Sequence, residues 1–300
     1  MNIGILISSA PRDERFTNIE RLEEAAHQRG HDVTRLYEPH LAFRHAEGLL
    51  SVRHERTDLG PLDVIIYRPN FVEEPGVHVH NVELLQRAGY RVLNGHAGDL
   101  AASKNKLAQH VRFMDANLPT ARWAIARDPN AVREEADRIG YPIIIKTAFG
   151  THGIGVFYAE RPETLLPLAD YLNVRDRNPV ILEEFVANAD RKDLRVFVVG
   201  GNIIAAMERN ARPGDVRANA ALGGESQTVD LTEGERDLAL KTANAFNLEI
   251  LGIDILRSNR RPLVIEINSN PGFDAIENVT GVDVAGAIID YALHEHPTHE

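Results

Sequence analysis

An acidic hairpin near the end of the chain constrains the fold more than any other feature. It reads GIDIL, then a polar turn through residues 257–261, then PLVIEIN. Because side chains alternate along a strand, Glu266 and Asn268 project from one face, and a turn centred near Arg260 places Asp254 across from Glu266. Carboxylates between apolar strands are costly to bury unless a cation neutralises them. The pattern predicts a site for Mg²⁺ or Mn²⁺, which prefer oxygen ligands. An exposed polar face on an amphipathic hairpin is the alternative.

A glycine-rich loop, GTHGIG at residues 150–155, follows an apolar strand that ends near Lys146. Glycines let main-chain N–H groups approach an anion closely, and a lysine adds a point charge for phosphate. The loop lacks the GK[ST] ending of a Walker loop, and it does not lie between a strand and a helix as a Rossmann fingerprint does. It predicts a phosphate contact, and an ordinary hairpin turn between Lys146 and Val156 is the alternative.

Two acids, Glu183 and Glu184, interrupt an apolar strand that reads ILEEFV. Main-chain groups at a strand edge beside an apolar wall can hydrogen-bond an adenine, with an acid near its amino group. Solvated acids on an edge strand are the alternative. Other charged motifs follow along the chain, and each taken alone is compatible with a surface ion pair of small energetic value. They are Asp193-Leu194-Arg195, Glu208-Arg209 and Arg217-Ala218-Asn219.

The order of apolar runs predicts an α/β protein with more than one domain. Short strands and helices alternate over residues 1–95, which predicts a small parallel sheet. The middle of the chain combines strands and helices with the glycine-rich loop and is predicted as an α+β unit, and from Asp193 onward the pattern is richer in strands. Strands are predicted near residues 2–8, 31–33, 63–67, 90–93, 122–126, 141–146, 156–159, 180–185, 194–199 and 202–207 and in the hairpin at 249–268. Helices are predicted near residues 19–29, 82–89, 130–139, 162–172, 232–246 and 283–293. A polar helical stretch that includes residues 103–106 is predicted beyond residue 95, followed by a helix that ends at Leu118-Pro119.

The composition excludes several classes of protein. The chain has no cysteine, which excludes disulfides, thiolate zinc sites and cysteine nucleophiles. A formal net charge of −11 argues against binding of a nucleic-acid backbone, which relies on clustered Lys and Arg, but leaves room for a local basic pocket. The apolar run MNIGILISSA is too short for a secretory segment, and no run approaches the length of a membrane helix. A soluble cytoplasmic protein with neither nucleic-acid nor membrane partners is predicted.

The order of the charged motifs and glycines resembles the ATP-grasp superfamily, and more narrowly the RimK-type amino-acid ligases. The resemblance spans nearly the whole chain and is most specific in KTAFGTHGIGV, VVGGNIIAAMERNARPGDVRANAALGG and GIDILRSNRRPLVIEINSNPG. It implies an ATP-grasp fold, in which an N-terminal parallel α/β domain precedes two α+β domains that clamp ATP between them. The implied limits are residues 1–95 for the N-terminal pre-ATP-grasp domain, 96–187 for the central lid domain and 188–300 for the C-terminal domain with the metal site.

The resemblance also implies a role for each candidate site residue. Lys106 and Lys146 would contact the nucleotide phosphates, together with Gly153 of the glycine-rich loop, and Asp193 would lie near the ribose. The adenine hinge would consist of Glu183, Glu184, Phe185 and Val186. The terminal phosphate would be approached by Arg217 and Asn219, and Arg217 and Lys146 would act in catalysis. Two Mg²⁺ or Mn²⁺ ions would be ligated by Asp254, Glu266 and Asn268, with Glu266 bridging them.

The activity that the resemblance implies is that of an ATP-dependent acid–amino-acid ligase, which joins a carboxylate to an amine through an acyl phosphate. Glutamate or another amino acid would be added to a protein C-terminus, a peptide or a small molecule, by a homodimer or homotetramer. The family has a His-Arg pair where this chain has Ala221-Leu222, and a glutamine where it has Glu183. Recognition of a substrate carboxylate, and with it specificity for glutamate, is therefore expected to differ. An ATP-grasp kinase and a catalytically silent nucleotide-binding interaction protein are the alternatives.

Overall fold

A computed structural model gives the structure of the protein at residues 1–9, 18–70, 76, 78–150, 155–175, 177–189, 192–211 and 225–294. Within these residues the strands form four sheets, one parallel and three antiparallel. This mixture of sheets and helices confirms the predicted α/β class. No helix in the ranges given is both long enough and apolar enough to cross a membrane.

The N-terminal part of the chain forms a parallel sheet and a small antiparallel one. Its elements are β1 (Asn2–Ile7), α1 (Ile19–Gln28), β2 (Asp32–Tyr37), β3 (Leu41–Ala46), β4 (Leu49–His54), β5 (Thr57–Asp58), β6 (Val64–Arg68), α2 (Val79–Arg87) and β7 (Val92–Leu93). The parallel sheet has the order β2-β1-β6-β7, as the alternation of strands and helices predicts. Strands β1 and β6 are buried almost throughout, which explains their continuous apolar runs.

The antiparallel sheet of β3, β4 and β5 has no counterpart among the predicted strands. Its strands are largely exposed, and Val52 is the one residue of theirs that is fully buried among those described. Strands of this kind leave no continuous apolar run for a pattern to detect. The turn between β3 and β4 has positive φ at Glu47 (54°) and Gly48 (78°), which suits a two-residue hairpin.

The central part of the chain places two short helices before a four-stranded sheet. Its elements are α3 (Ala97–Lys104), α4 (Lys106–Asp115), β8 (Trp123–Ala126), α5 (Pro129–Ile139), β9 (Ile143–Thr147), β10 (Val156–Ala159), α6 (Pro162–Arg175) and β11 (Val180–Glu184). The sheet has the order β10-β9-β11-β8. Strands β9 and β10 are antiparallel neighbours, so the glycine-rich segment connects a hairpin. The Asn105 side chain accepts hydrogen bonds from the N–H groups of Leu107 and Ala108, a cap that starts α4 at Lys106.

The C-terminal part of the chain is built around a five-stranded antiparallel sheet. Its elements are β12 (Lys192–Val199), β13 (Asn202–Asn210), β14 (Glu225–Thr228), α7 (Glu233–Phe246), β15 (Ile250–Arg257), β16 (Pro262–Asn268), α8 (Asp274–Thr280) and α9 (Val284–Leu293). The sheet has the order β14-β13-β12-β15-β16. Both predicted hairpins, β12 with β13 and β15 with β16, are confirmed. Strand β14 and helix α8 are additions that the sequence did not predict.

A capping box starts α7. The Thr232 hydroxyl accepts a hydrogen bond from the Glu235 N–H at 3.3 Å, and the Glu235 carboxylate accepts one from the Thr232 N–H at 2.9 Å. Thr232→Ala removes one half of this exchange and is expected to lower the free energy of unfolding by about 1 kcal/mol. Urea unfolding measures the change, with Thr57→Ala on the exposed strand β5 as the control. Equal stability of the two variants would contradict the assignment.

Two of the apolar cores join residues that are far apart in the chain. The N-terminal sheet shares one core with the C-terminal sheet, in which Ile5, Phe197 and Ile288 are fully buried. Phe113 of α4 packs into a second core, with α7 and residues of the C-terminal sheet. The central sheet packs a separate core with α5 and α6. Helix α4 therefore belongs to the C-terminal core rather than to the central one, and the limits at residues 95 and 187 stay a prediction.

Candidate functional site

A cleft between the central and C-terminal sheets brings together most of the predicted site residues. Strands β9, β10 and β11 line one side of it, and β12, β15 and β16 line the other. Lys106 reaches the same place from α4, because its Nζ lies 3.4 Å from Glu266 Oε1. The predicted residues that line the cleft are Lys146, Glu183, Glu184, Phe185, Val186, Asp193, Asp254 and Glu266. Three predicted site residues lie outside the described part of the chain, namely Gly153, Arg217 and Asn219. The Ala221-Leu222 pair also lies outside it.

The β15–β16 hairpin positions the predicted metal ligands. Its register pairs Asp254 with Glu266 and Gly252 with Asn268, and a bulge follows Asp254. Asp254 and Glu266 therefore face each other on neighbouring strands, as the alternation of side chains predicts. Asn268 lies two cross-strand pairs further along and does not line the cleft. A Cβ at position 252 would lie 2.8 Å from Pro271 Cβ and 3.2 Å from the Arg195 side chain, so the glycine leaves room for both.

Cross-strand pairing also brings two arginines to the Asp254 carboxylate. Strand β12 lies between β13 and β15, and its register places Arg195 opposite Asp254 and Asp193 opposite Arg209. Arg195 donates to the two oxygens of Asp254 at 2.5 and 3.0 Å, and Arg209 Nη2 lies 3.0 Å from Asp254 Oδ2. Arg209 also donates to both oxygens of Asp193, at 2.6 and 2.8 Å. Two acids and two arginines thus form one compact network whose formal charges cancel.

This network separates the pKa values of its two acids. Burial raises the pKa of Asp193, and the negative charge of Asp254 adds to the rise, against the opposing effect of Arg209. Burial also acts to raise the pKa of Asp254, but the charges and hydrogen bonds of Arg195 and Arg209 outweigh it and lower that pKa. Asp254 is therefore held as a carboxylate, the form that binds a divalent cation.

The donor set of the hairpin fits a hard divalent cation. Mg²⁺ and Mn²⁺ take carboxylate oxygens, and Asp254 and Glu266 supply these from facing positions at the cleft. Each carboxylate also has a basic partner. Arg195 and Arg209 form ion pairs with Asp254, and Lys106 lies near Glu266. A cation bound here would take over part of the charge neutralisation that these side chains provide.

Two buried lysines lie near the two ends of the glycine-rich segment. Lys106 is 6% exposed, and its Nζ donates to the Gly150 carbonyl at 2.9 Å. Its main-chain N–H donates to the Ala148 carbonyl at 2.9 Å, which ties the start of α4 to the end of β9. Lys146 on β9 is 5% exposed, and its Nζ lies 2.7 Å from Glu183 Oε2. Two ammonium groups beside a glycine-rich connection are an arrangement that suits phosphate.

Glu183 lies between Lys146 and a histidine that the sequence analysis did not single out. His110 Nε2 is 3.0 Å from Glu183 Oε1, and both residues line the cleft. Burial acts to raise the pKa of Glu183, but the charges of Lys146 and His110 and their hydrogen bonds outweigh it and bring the pKa to about 2. The sequence contained one signal for His110, since it follows Lys106 by four residues and shares its face of α4.

The apolar part of the cleft is a slot beside the end of β11. The chain turns there, with the Glu184 N–H donating to the Arg122 carbonyl at 2.8 Å and the Ala189 N–H donating to the Val186 carbonyl at 3.1 Å. The Phe185 ring packs edge-on against the Tyr158 ring of β10, with ring centroids 5.1 Å apart. A slot with apolar walls and main-chain polar groups at one end suits a flat heterocycle. Its apolar walls are formed by Ile144, Val156, Leu256, Leu263 and Ile265.

A second group of possible metal ligands lies away from the cleft. Ligand atoms of His40, His54 and Glu55 lie within 4.8 Å of one another. The Tyr37 N–H donates to His54 Nε2 at 3.0 Å, which requires an unprotonated nitrogen there and leaves the ring proton on Nδ1. Burial also lowers the pKa of His54, which favours the same neutral ring. The hydrogen bond thus occupies one nitrogen and the proton the other, so His54 acts here as an acceptor for the main chain.

Comparison with known sequences identifies relatives over the whole chain. A sequence model of the RimK-like ATP-grasp domain matches residues 97–292. A probable alpha-L-glutamate ligase of Teredinibacter turnerae is 33% identical over 97% of this chain and 95% of that protein. A ribosomal protein bS6–L-glutamate ligase of Escherichia fergusonii is 32% identical over 100% of this chain and 98% of that protein. A probable alpha-L-glutamate ligase of Shewanella halifaxensis is 33% identical over 97% of this chain, which spans 62% of that longer protein.

Comparison with solved structures shows the same fold. A RimK domain protein ATP-grasp from Sphaerobacter thermophilus superposes with a TM-score of 0.74 at 18% identity, covering 97% of this chain and 99% of that chain. The ATP-grasp ligase PsnB, complexed with minimal precursor, Mg and ADP, superposes with a TM-score of 0.72 at 20% identity, covering 96% and 95% of the two chains. At these identities the likeness extends to the fold and not to the substrate.

Proposed function

This chain belongs to the RimK-like ATP-grasp family, and we propose that it is an ATP-dependent ligase that joins a carboxylate to an amine through an acyl phosphate. One observation carries the proposal. A facing pair of carboxylates, two buried lysines and an apolar slot meet in a single cleft between two sheets. These are the three chemical environments that a metal-bound nucleoside triphosphate needs, and the cleft combines them in a chain whose family uses ATP and a divalent metal.

We place the nucleotide with its base in the slot beside β11 and its phosphates toward Lys106 and Lys146. Main-chain groups of Glu184 and Val186 would contact the base, between walls that are apolar on both sheets. Asp193 would lie near the ribose. Gly153, Arg217 and Asn219 are assigned to the phosphates on the sequence resemblance alone.

We assign the divalent ions, Mg²⁺ or Mn²⁺, to Asp254, Glu266 and Asn268, and propose that two are bound. Asp254 and Glu266 are supported by their facing positions at the cleft, whereas Asn268 is supported by the sequence pattern. A divalent cation bound to a triphosphate polarises the phosphoryl group and neutralises charge that develops on it. Among the described residues, Lys106 next to Glu266 and Lys146 next to Glu183 would add positive charge near the phosphates.

The proposed reaction has two steps and needs no covalent bond to the enzyme. An oxygen of the substrate carboxylate attacks the γ-phosphorus in line, the bond to the leaving oxygen of ADP breaks, and an acyl phosphate forms. The amine nitrogen then attacks the acyl carbon, inorganic phosphate leaves, and the nitrogen gives up a proton. The side chains proposed to contact the phosphates, Lys106, Lys146 and Arg217, offset the negative charge of the first step.

The substrates are proposed from the names of the relatives. Two of them are called alpha-L-glutamate ligases and a third is named for ribosomal protein bS6 and L-glutamate. We propose an amino acid, with glutamate the first candidate, and a protein C-terminus, peptide or small molecule as its partner, and a homo-oligomeric enzyme. Ala221-Leu222, in place of the family's His-Arg pair, makes altered specificity for glutamate part of the proposal.

Substrate screening with an acyl-phosphate trap tests this function. Glutamate and the other amino acids are supplied singly with peptides and Mg-ATP, phosphate release is measured, and products are identified by mass spectrometry. Hydroxylamine is added in a parallel set, because it converts an acyl phosphate to a hydroxamate. We expect one pair of substrates to give an amide product and a hydroxamate. Transfer of phosphate to a hydroxyl group without hydroxamate would identify a kinase instead, and nucleotide binding without any turnover would identify a silent interaction protein.

A further inference from the structure

A cavity of about 850 Å³ lies between the N-terminal and C-terminal parts of the chain. The end of α2 and strand β7 line it from the N-terminal part, and the β12–β13 turn, the end of α7 and α9 line it from the C-terminal part. None of the described residues that line it also lines the nucleotide cleft. Pockets for small molecules typically measure about 300–1,000 Å³. The cavity is therefore large enough for a small molecule in addition to the nucleotide.

Glu249 brings a half-buried carboxylate to this cavity. Its Oε2 accepts a hydrogen bond from the Asn94 N–H at 2.6 Å, and it forms no ion pair with any residue that the structure describes. Burial raises the pKa of Glu249, and the opposing effects of main-chain N–H groups and of the charges of His96 and Arg91 only reduce that rise. A carboxylate in this position is stabilised by a cation that binds beside it.

The C-terminal end of α7 adds to the preference for a cation. Asn244 in its last turn and Asn247 just after it line the cavity, and the last turn contains no basic residue. Asn247 ends the helix with a positive φ of 46°. Because the carbonyl groups at the end of a helix carry partial negative charge, a positive group is stabilised near them.

Arg91 brings a positive charge to the same cavity. Its Nη1 donates to the carbonyl oxygens of Ala292 and His294, at 2.7 and 3.3 Å, which ties the guanidinium to the end of α9. A guanidinium has five N–H donors, and Nε and Nη2 of Arg91 form no hydrogen bond with a described residue. The charge of Arg91 acts on Glu249, although the two form no ion pair. A ligand could therefore bridge one anionic and one cationic side chain.

We propose that this cavity binds a free α-amino acid, with its ammonium group on Glu249 and its carboxylate on Arg91. An α-amino acid carries both charges on one carbon, and each would form a charge-assisted hydrogen bond with its partner. Tyr90 and Tyr291 also line the cavity and offer aromatic neighbours to the ligand's side chain. The site is separate from the nucleotide cleft, so the inference goes beyond the proposed ligase function and does not depend on it.

Calorimetric titration with free amino acids tests this site. The twenty common L-amino acids are titrated singly into the full chain without nucleotide, and the one that binds most tightly becomes the probe. Glu249→Gln removes the negative charge but can still accept the hydrogen bond from Asn94, and it is expected to raise the Kd of the probe about tenfold or more. Arg91→Met is expected to raise the Kd by a similar factor. Glu233→Gln makes the same change of charge at the exposed start of α7 and is expected to leave the Kd unchanged.

Two analogues of the probe separate the contributions of its charged groups. The amine that lacks the carboxylate is expected to bind Arg91→Met as it binds the wild type and to be weakened by Glu249→Gln alone. The acid that lacks the amino group is expected to show the reverse. Both analogues should bind the wild type about tenfold more weakly than the probe does, a comparison that needs no variant to fold.

Three results would overturn the inference. The first is that no amino acid binds the wild type with a Kd below about 10 mM. The second is that Glu249→Gln binds the probe as the wild type does, which would place the amino acid at another site, such as that of a substrate. The third is that either analogue binds the wild type as tightly as the probe.

Discussion

Replacing Glu266 with alanine is expected to lower kcat for amine-dependent phosphate release by a factor of about 100 or more, the loss typical when one group that stabilises developing charge is removed. Glu266 faces Asp254 across the β15–β16 pairing and lies 3.4 Å from Lys106. The variant keeps one facing carboxylate for a divalent ion and leaves Lys106 without its acidic partner in the cleft. Both the metal and the phosphates are therefore held less well.

The fold of the Glu266→Ala variant is expected to stay intact. The Glu266 side chain is 25% exposed, so its removal opens a surface that water can fill. Far-UV circular dichroism and urea unfolding check this, and Glu225→Ala, at an exposed position of the same sheet, is the matched control. Titration with Mn²⁺ in the presence of ADP, followed by electron paramagnetic resonance, should show weaker metal binding in the Glu266 variant alone. Turnover equal to that of the wild type would refute the metal assignment.

The facing position of Asp254 and Glu266 could be predicted because it depends on local chain geometry. In a hairpin the turn fixes the register, and the alternation of side chains then decides which residues share a face. The same reasoning identified the β12–β13 hairpin from its Gly200-Gly201 turn. Such features depend only on residues that are close together in the chain, so they can be predicted from a single sequence.

The partners of these carboxylates could not be predicted in the same way. Arg195 contacts Asp254 because β12 lies next to β15 in the sheet. The order of strands in a sheet cannot be predicted from the sequence of any one segment. His110 meets Glu183 because its side chain on α4 reaches the end of β11, an approach between elements more than sixty residues apart in sequence. The two residues were visible as a charged motif and a helix face, but their contacts arise only from tertiary packing.

The core that α4 joins could not be predicted for a related reason. The predicted limits assign the helix to the central part, and its Phe113 side chain packs with Phe246 of α7, with ring centroids 5.7 Å apart. Which core a helix joins depends on the surface that its apolar face meets, and the pattern of one helix cannot specify that surface. The result matters for the site, since Lys106 and His110 approach the cleft from the side of the C-terminal core.

Replacing Arg209 with methionine is expected to lower the free energy of unfolding at pH 7 by about 3–5 kcal/mol, the range for breaking a buried ion pair from one side. Arg209 is 3% exposed and holds Asp193 through two hydrogen bonds and Asp254 through a third contact. Methionine fills much of the volume but leaves Asp193 without its cation. Asp254 keeps Arg195, so the loss falls mainly on Asp193.

The size of this loss is expected to depend on pH, with a sign set by Asp193. Burial already raises the pKa of Asp193 in the wild type, and removal of Arg209 should raise this pKa further. A carboxyl whose pKa is higher in the folded state stabilises the fold below its unfolded pKa, near pH 4, and that stabilisation is lost as the pH rises through the folded value. The wild type loses the same stabilisation up to its own folded pKa of about 6 for Asp193, so the difference between variant and wild type should be nearly constant from about pH 4 to 6 and grow above it. Urea unfolding across this range measures it, with Arg236→Met at an exposed position of α7 as the control. A loss below about 1 kcal/mol, or one that is constant across the range, would show that Asp193 does not depend on Arg209 for its charge.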